Sequence, residues 1–143
     1  MKTITLYNNL GQTQGVLSSN DPAAFTDGFG ELNAIEGSYN NDYYVVDGQA
    51  HLKGNNPSTT ETKYQFDYAT KTWQVDLEHT AEHQRNSRDQ LLSQIDRINP
   101  VWYSSLTTEQ QQELIQYRLA LLDVPQQAGF PTDVSWPAKP AWL

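Results

Sequence analysis

Residues 85–140 set two strong helix signals against two strong stops, and that order leaves few folds open for the C-terminal half. Leu91, Leu92, Ile95 and Ile98 recur at i, i+1, i+4 and i+7, which gathers them on one helical face. Asn99-Pro100 stops that helix, because proline disfavours helical geometry in the residue before it. Thr107-Thr108-Glu109-Gln110 opens a second helix with a capping box, in which a threonine hydroxyl and a glutamine side chain satisfy two orphan amides reciprocally. This helix carries Leu114, Ile115, Leu119, Leu121 and Leu122 and ends before Pro125. Both helices are short and amphipathic, so they are expected to pack on each other or on a sheet, with Leu92, Ile95, Leu119 and Leu122 in the seam. Trp102 and Tyr103 fall in the interhelical loop, and the prolines and glycine after Pro125 predict an extended tail.

The first half has the period and punctuation of β structure. Ile4 and Leu6 alternate in residues 3–7, Asn8-Asn9-Leu10-Gly11 is turn chemistry, and residues 12–17 can return as a second strand. Asn20-Asp21-Pro22 can cap one helical turn through Ala23, Ala24 and Phe25, which Asp27-Gly28-Phe29-Gly30 breaks. Tyr43-Tyr44-Val45-Val46, Asp47-Gly48 and Gln49-Ala50-His51-Leu52 form the cleanest hairpin, since Asp-Gly supplies the positive φ angles of a two-residue type I′ turn. A second hairpin joins residues 63–68 to residues 72–77 through Ala69-Thr70-Lys71, and residues 54–59 read as loop. The fold class is therefore α+β: a β-rich domain over residues 1–77, an antiparallel meander, and a helical hairpin with an extended Pro/Trp-rich tail over residues 78–143.

Composition narrows the function. A chain of 143 residues buries roughly 68–70% of its unfolded surface. Mean hydropathy is low at −0.69, but 4 Trp, 8 Tyr and 4 Phe supply large buried areas, which predicts a thin aromatic core completed by a partner. The formal charge of −8 repels phosphates and argues against nucleic acid. With no cysteine there is no disulfide framework and no thiol chemistry. The start MKTITLYNNLGQ lacks an apolar signal core, and no run approaches the length of a membrane span, so the expectation is a protein of the cytosol.

The run YRLALLDVPQQAGFP…WPAKP, residues 117–140, resembles the C-terminal signature of the bacteriophage tail assembly chaperone and tail fibre assembly families. An R…LL helix precedes it, as in those families. Tyr44-Val45-Val46-Asp47-Gly48, Pro57 and Phe66-Asp67…Trp73 are similar to the family's upstream β segment, although a Val-Val pair stands where many members are less apolar. The resemblance implies a non-enzymatic protein that acts in the host cytoplasm during assembly. Its partner would be a phage tail fibre or other tail protein, whose folding, trimerisation or attachment it promotes. The alternative is a structural component, such as a fibre cap, adaptor or baseplate-associated protein, retained in the virion tail.

No enzyme signature survives inspection. His79 and His83 stand four apart, a spacing at which two imidazoles can share a metal, but a third ligand is missing locally and His51 lies in a distant hairpin. A solvated first helical turn explains them, with Glu78 and Glu82 beside the positive end of the dipole. Asp42, Asp47, Asp67 and Asp76 sit in turns or at strand ends, where Asp bonds the backbone. No serine lies in a nucleophile elbow, and Gly28-Phe29-Gly30 lacks the third glycine of a dinucleotide loop. No cofactor, metal or small-molecule substrate is expected. The candidate contact residues are Trp102, Tyr103, Tyr117, Phe130, Trp136, Pro137 and Trp142. They can staple the tail onto the helices or anchor a partner at little entropic cost. The staple reading leads for Phe130 and Trp136, the contact reading for Trp102 and Trp142.

Overall fold

The computed structural model describes residues 1–26 and 28–143. The fold is α+β, with antiparallel strands first and helices after. Contacts divide it into two compact units: Met1–Pro57 with Tyr64–Gln74, and Ser58–Lys63 with Val75–Leu143.

In the first unit, β1 (Lys2–Tyr7) lies between β2 (Thr13–Ser19) and β3 (Asn33–Glu36), antiparallel to both. Ile4 and Thr5 on β1 are buried. The Thr5 hydroxyl donates to the Gly37 carbonyl and accepts from the Tyr39 amide, both at 2.9 Å, so its burial leaves no orphan group. β3 has little signal in the sequence, because only Ile35 in that stretch has a strong strand preference. A single 3-10 turn, Pro22–Phe25, forms as expected, with the Asp21 carboxylate accepting the Ala23 amide. Of the expected break at residues 27–30, Asp27 lies outside the described residues.

β4 (Tyr43–Val46) and β5 (Gln49–Leu52) form the expected hairpin, and Asp47 at φ 50° with Gly48 at φ 72° makes its two-residue turn. β6 (Tyr64–Asp67) and β7 (Thr72–Val75) form the second hairpin. Its last strand stops short of the expected Leu77. Asp76 caps the next helix by accepting the His79 amide at 3.0 Å, and Leu77 is already helical. The cap satisfies a donor that a longer strand would leave orphaned. Rings of Tyr44, Tyr68 and Trp73 close around Phe66 with centroids 5.2–5.4 Å away.

The second unit is built on α1 (Leu77–Asp96), α2 (Pro100–Ser104) and α3 (Thr108–Asp123). Thr80 and Gln84 on α1 are buried polar residues. Thr80 Oγ1 accepts the Lys63 amide at 3.0 Å, and Gln84 Nε2 donates to the Glu61 carbonyl at 3.4 Å, which ties residues 61–63 to the helix. The expected interhelical loop is itself a helical turn. Asn99 accepts the Val101 amide, and Pro100 occupies the first turn, where a missing N–H costs nothing. The residues that end α1 thus start α2. At Thr107 the capping box is complete in both directions.

Leu92 and Ile95 of α1 pack with Leu114, Tyr117 and Leu121 of α3 in the core of this unit. Leu119 and Leu122 are not in that seam: they stand 51% and 41% exposed. The helix carries apolar side chains on two faces roughly 130° apart, so periodicity alone does not choose between them. Packing against Leu92 and Ile95 of α1 puts Leu114, Tyr117 and Leu121 in the core.

Candidate partner-binding site

The first part of the tail after α3, residues 124–133, is folded into turns, and residues 134–140 run on without regular secondary structure. Val124–Gln126 continues the helix as a 3-10 turn, and residues 127–133 close further turns, with Phe130 N–H on the Gln127 carbonyl and Asp133 N–H on the Gly129 carbonyl. Gln127 then grips the chain eight residues on. Its amide nitrogen donates to the Ser135 carbonyl and its oxygen accepts the Ser135 N–H, both at 2.8 Å. Gly129 permits the close turn, since a Cβ there would collide with the Asp133 carbonyl. Phe130, half-buried and followed by a cis Pro131, has the Arg85 guanidinium 5.4 Å from its ring centre. The Gln-Gln-x-Gly-Phe-Pro run is therefore the part of the tail that turns it and holds it in place.

Beyond the clasp the tail returns along α3. Glu113, Gln116, Tyr117 and Ala120 form one wall of an open groove of about 700 Å³, and Pro137 and Pro140 form the other. At its end Trp142 donates its indole N–H to the Glu113 carboxylate and pairs with Trp102, ring centres 6.3 Å apart. Trp102 projects from α2 and is 40% exposed.

The structure thus separates the candidate contact residues. Tyr117 is 7% exposed and serves the core, so it does not present a free ring. Tyr103 is half-buried against the same cluster, and its carbonyl accepts a bond from Gln111. Trp142, for which the contact role was the expectation, also packs there. Trp102, Trp136 and Pro137 are left on the surface beside the groove or lining it. Gln127 and Glu113, which hold the tail, have no sequence signal of that role, because a lone polar residue gives no periodicity.

The residues weighed for chemistry have other work. His79 Nδ1 lies 2.6 Å from the Asp76 carboxylate, whose hydrogen bond holds the imidazole above its ordinary pKa. Asp76 is held below the usual range, first by the His79 backbone amide. Asp67 is lowered by the Ala69 amide and the Thr70 hydroxyl, an Asx turn at the β6–β7 hairpin. His51 stacks on Tyr44 in the first unit. Among the described residues no group of three His, Asp or Glu side chains could hold a metal, and no helix is long and apolar enough to cross a membrane.

Residues 81–141 match the family model described as phage tail assembly chaperone protein. The match spans most of α1, all of α2 and α3, and the clasped tail. No curated protein and no solved structure matches the chain.

Proposed function

Proceeding from a C-terminal region that matches phage tail assembly chaperones, we propose that this protein binds a tail or tail fibre protein and protects it until assembly, without catalysis. One observation carries the reading: the matched residues are those that build the clasped tail and its groove on α3, and they include Trp102 at the rim. A fibre chain awaiting its partners exposes strand edges and apolar faces, and a helper that covers them holds off aggregation. The partner site is the groove and its rim, with Trp102, Trp136 and Pro137 as contacts. Trp142, Phe130 and Tyr103 hold the tail and α2 in place. The protein acts in the host cell during assembly.

Co-expression of the full chain with each tail and fibre protein of the same virus tests this. Trp102→Ala is expected to leave the melting temperature nearly unchanged and to weaken binding, by about 1–2 kcal/mol as for a typical interface anchor. A chain ending after Val124 is expected to lose the complex, and its retaining full assembly activity would place the function elsewhere. A retained tail component is the second reading, favoured by the uncovered apolar residues Ile115, Leu119 and Leu122. Stoichiometric copies in purified particles would establish that reading in place of a transient helper.

A further inference from the structure

β2 is an edge strand, and the bonding of β1 fixes which of its backbone groups are free. The Gly37 amide donates to the Thr3 carbonyl at 2.9 Å, so Thr3, Thr5 and Tyr7 turn their backbone groups toward β3. Lys2, Ile4 and Leu6 therefore turn theirs toward β2, onto Ser19, Leu17 and Gly15. That leaves the N–H and C=O of Val16 and Ser18 on the outer side, with no strand beside them among the described residues. The opposite edge of this sheet is blunted, since β3 has four residues and carries Glu36. β2 has seven residues with neither charge nor proline, and its register shift falls at Tyr7, ahead of the free stretch. Val16 and Leu17 stand 41% and 40% exposed.

We infer that this edge pairs with β2 of a second copy of the chain, antiparallel about a twofold axis at Leu17. The occupant is an extended backbone, since only that presents donors and acceptors at every second residue. Outward residues must face outward residues, which allows a twofold at Val16 or at Leu17. A twofold at Val16 sets the copy's Ser18 and Ser19 against Gln14 and Thr13, where residues 40–45 already lie. There the Val45 amide bonds the Gly11 carbonyl, Tyr44 bridges Gln12, and Thr13 Oγ1 donates to the Asn40 carbonyl. A twofold at Leu17 clears that block. It bonds Val16 to the copy's Ser18 and Ser18 to the copy's Val16, which uses every free backbone group of the two, and each half-exposed Leu17 covers the other. Residues 12–20 are uncharged, so no like charges meet across the pair even though each chain bears −8. One short strand a side is less area than a stable complex needs, so the dimer is weak and forms at high concentration. Pairing covers the one unguarded edge of the sheet, which would otherwise template aggregation. The inference uses the first unit alone and stands apart from the chaperone reading.

The test uses the full chain alone. Sedimentation from about 10 µM to about 1 mM is expected to show a monomer–dimer equilibrium, the range in which so small a contact associates. Amide hydrogen exchange is expected to show Val16 and Ser18 gaining protection with concentration, while Leu17, already bonded to β1, is protected throughout. Raised salt is expected to strengthen the dimer, because it screens the two net charges and breaks no ion pair. Leu17→Lys sets two ammonium groups together and is expected to weaken association by about tenfold or more, with the monomer's melting temperature kept. An equimolar mixture of the Leu17→Lys and Leu17→Glu chains is expected to pair again, as only a Leu17-on-Leu17 register predicts. Val16→Pro removes an outward N–H and no bond to β1, and is expected to abolish the dimer as well. A chain that stays monomeric throughout overturns the inference, as does a dimer that survives both Leu17→Lys and Val16→Pro. Protection of Val16 and Ser18 only on addition of a tail protein overturns it too, by giving the edge to another strand.

Discussion

Replacing Gln127 by alanine deletes both bonds of the clasp on Ser135 and touches neither helix. The loss expected is about 1–3 kcal/mol for two ordinary hydrogen bonds, read as earlier proteolysis of the tail with little change in helical signal. Gly129→Ala is expected to free the tail in the same assay, because its Cβ meets the Asp133 carbonyl. A second residue-scale effect is pH-dependent. His79 is raised above its ordinary 6.5 by its bond to Asp76, so its stabilising share is complete below that pH and is lost as pH rises through the folded value. Asp76 is lowered below its ordinary 3.8, so its share is complete above that pH and fades as pH falls through the folded value. The pair therefore contributes most between those two values. Thermal melts carried from this window to well above 6.5 are expected to show an alkaline decline in the unaltered chain that His79→Gln removes. At this scale the Asp47-Gly48 turn and the Asp21 cap were legible in sequence, because local chemistry dictates them. The Gln127 grip was not, because its partner lies eight residues away.

Among the elements, α3 has two apolar faces and its two halves predict opposite outcomes. Leu121 is fully buried, and Leu121→Ala is expected to cost about 2–5 kcal/mol in a denaturant melt. Leu119→Ala on the other face is expected to stay within about 0.5 kcal/mol. Equal losses from the two would put the core on the wrong side of the helix. Both helices were legible from periodicity and from the capping box at Thr107, where Thr107→Ala is expected to cost about 1 kcal/mol. Which face of α3 packs was not legible, since Leu114/Leu121 and Ile115/Leu119/Leu122 give similar patterns and the choice is tertiary. The short α2 was hidden for another reason: Asn99-Pro100 signals an end and a beginning alike.

For the molecule as a whole, the chain leaves the first unit after Pro57, joins the second through residues 58–63, returns for β6 and β7, and leaves again at Val75. A piece of residues 75–143 lacks Lys63 and Glu61, and so strips Thr80 and Gln84 of their partners. It is expected to melt at a lower temperature than residues 58–143, since buried polar groups left unsatisfied cost about 1–3 kcal/mol each. Periodicity and turn punctuation had made the α+β class legible, but this interleaving is a long-range pairing with no sequence period. It also bears on inheritance. A recombination joint placed at residue 75, where the linear order of strands and helices invites one, would import α1 without the short strand of backbone that Thr80 grips. Exchange of the helical half between relatives is therefore expected to keep its full stability only when residues 58–63 travel with it, or when the receiving chain already supplies a carbonyl and an amide at that point.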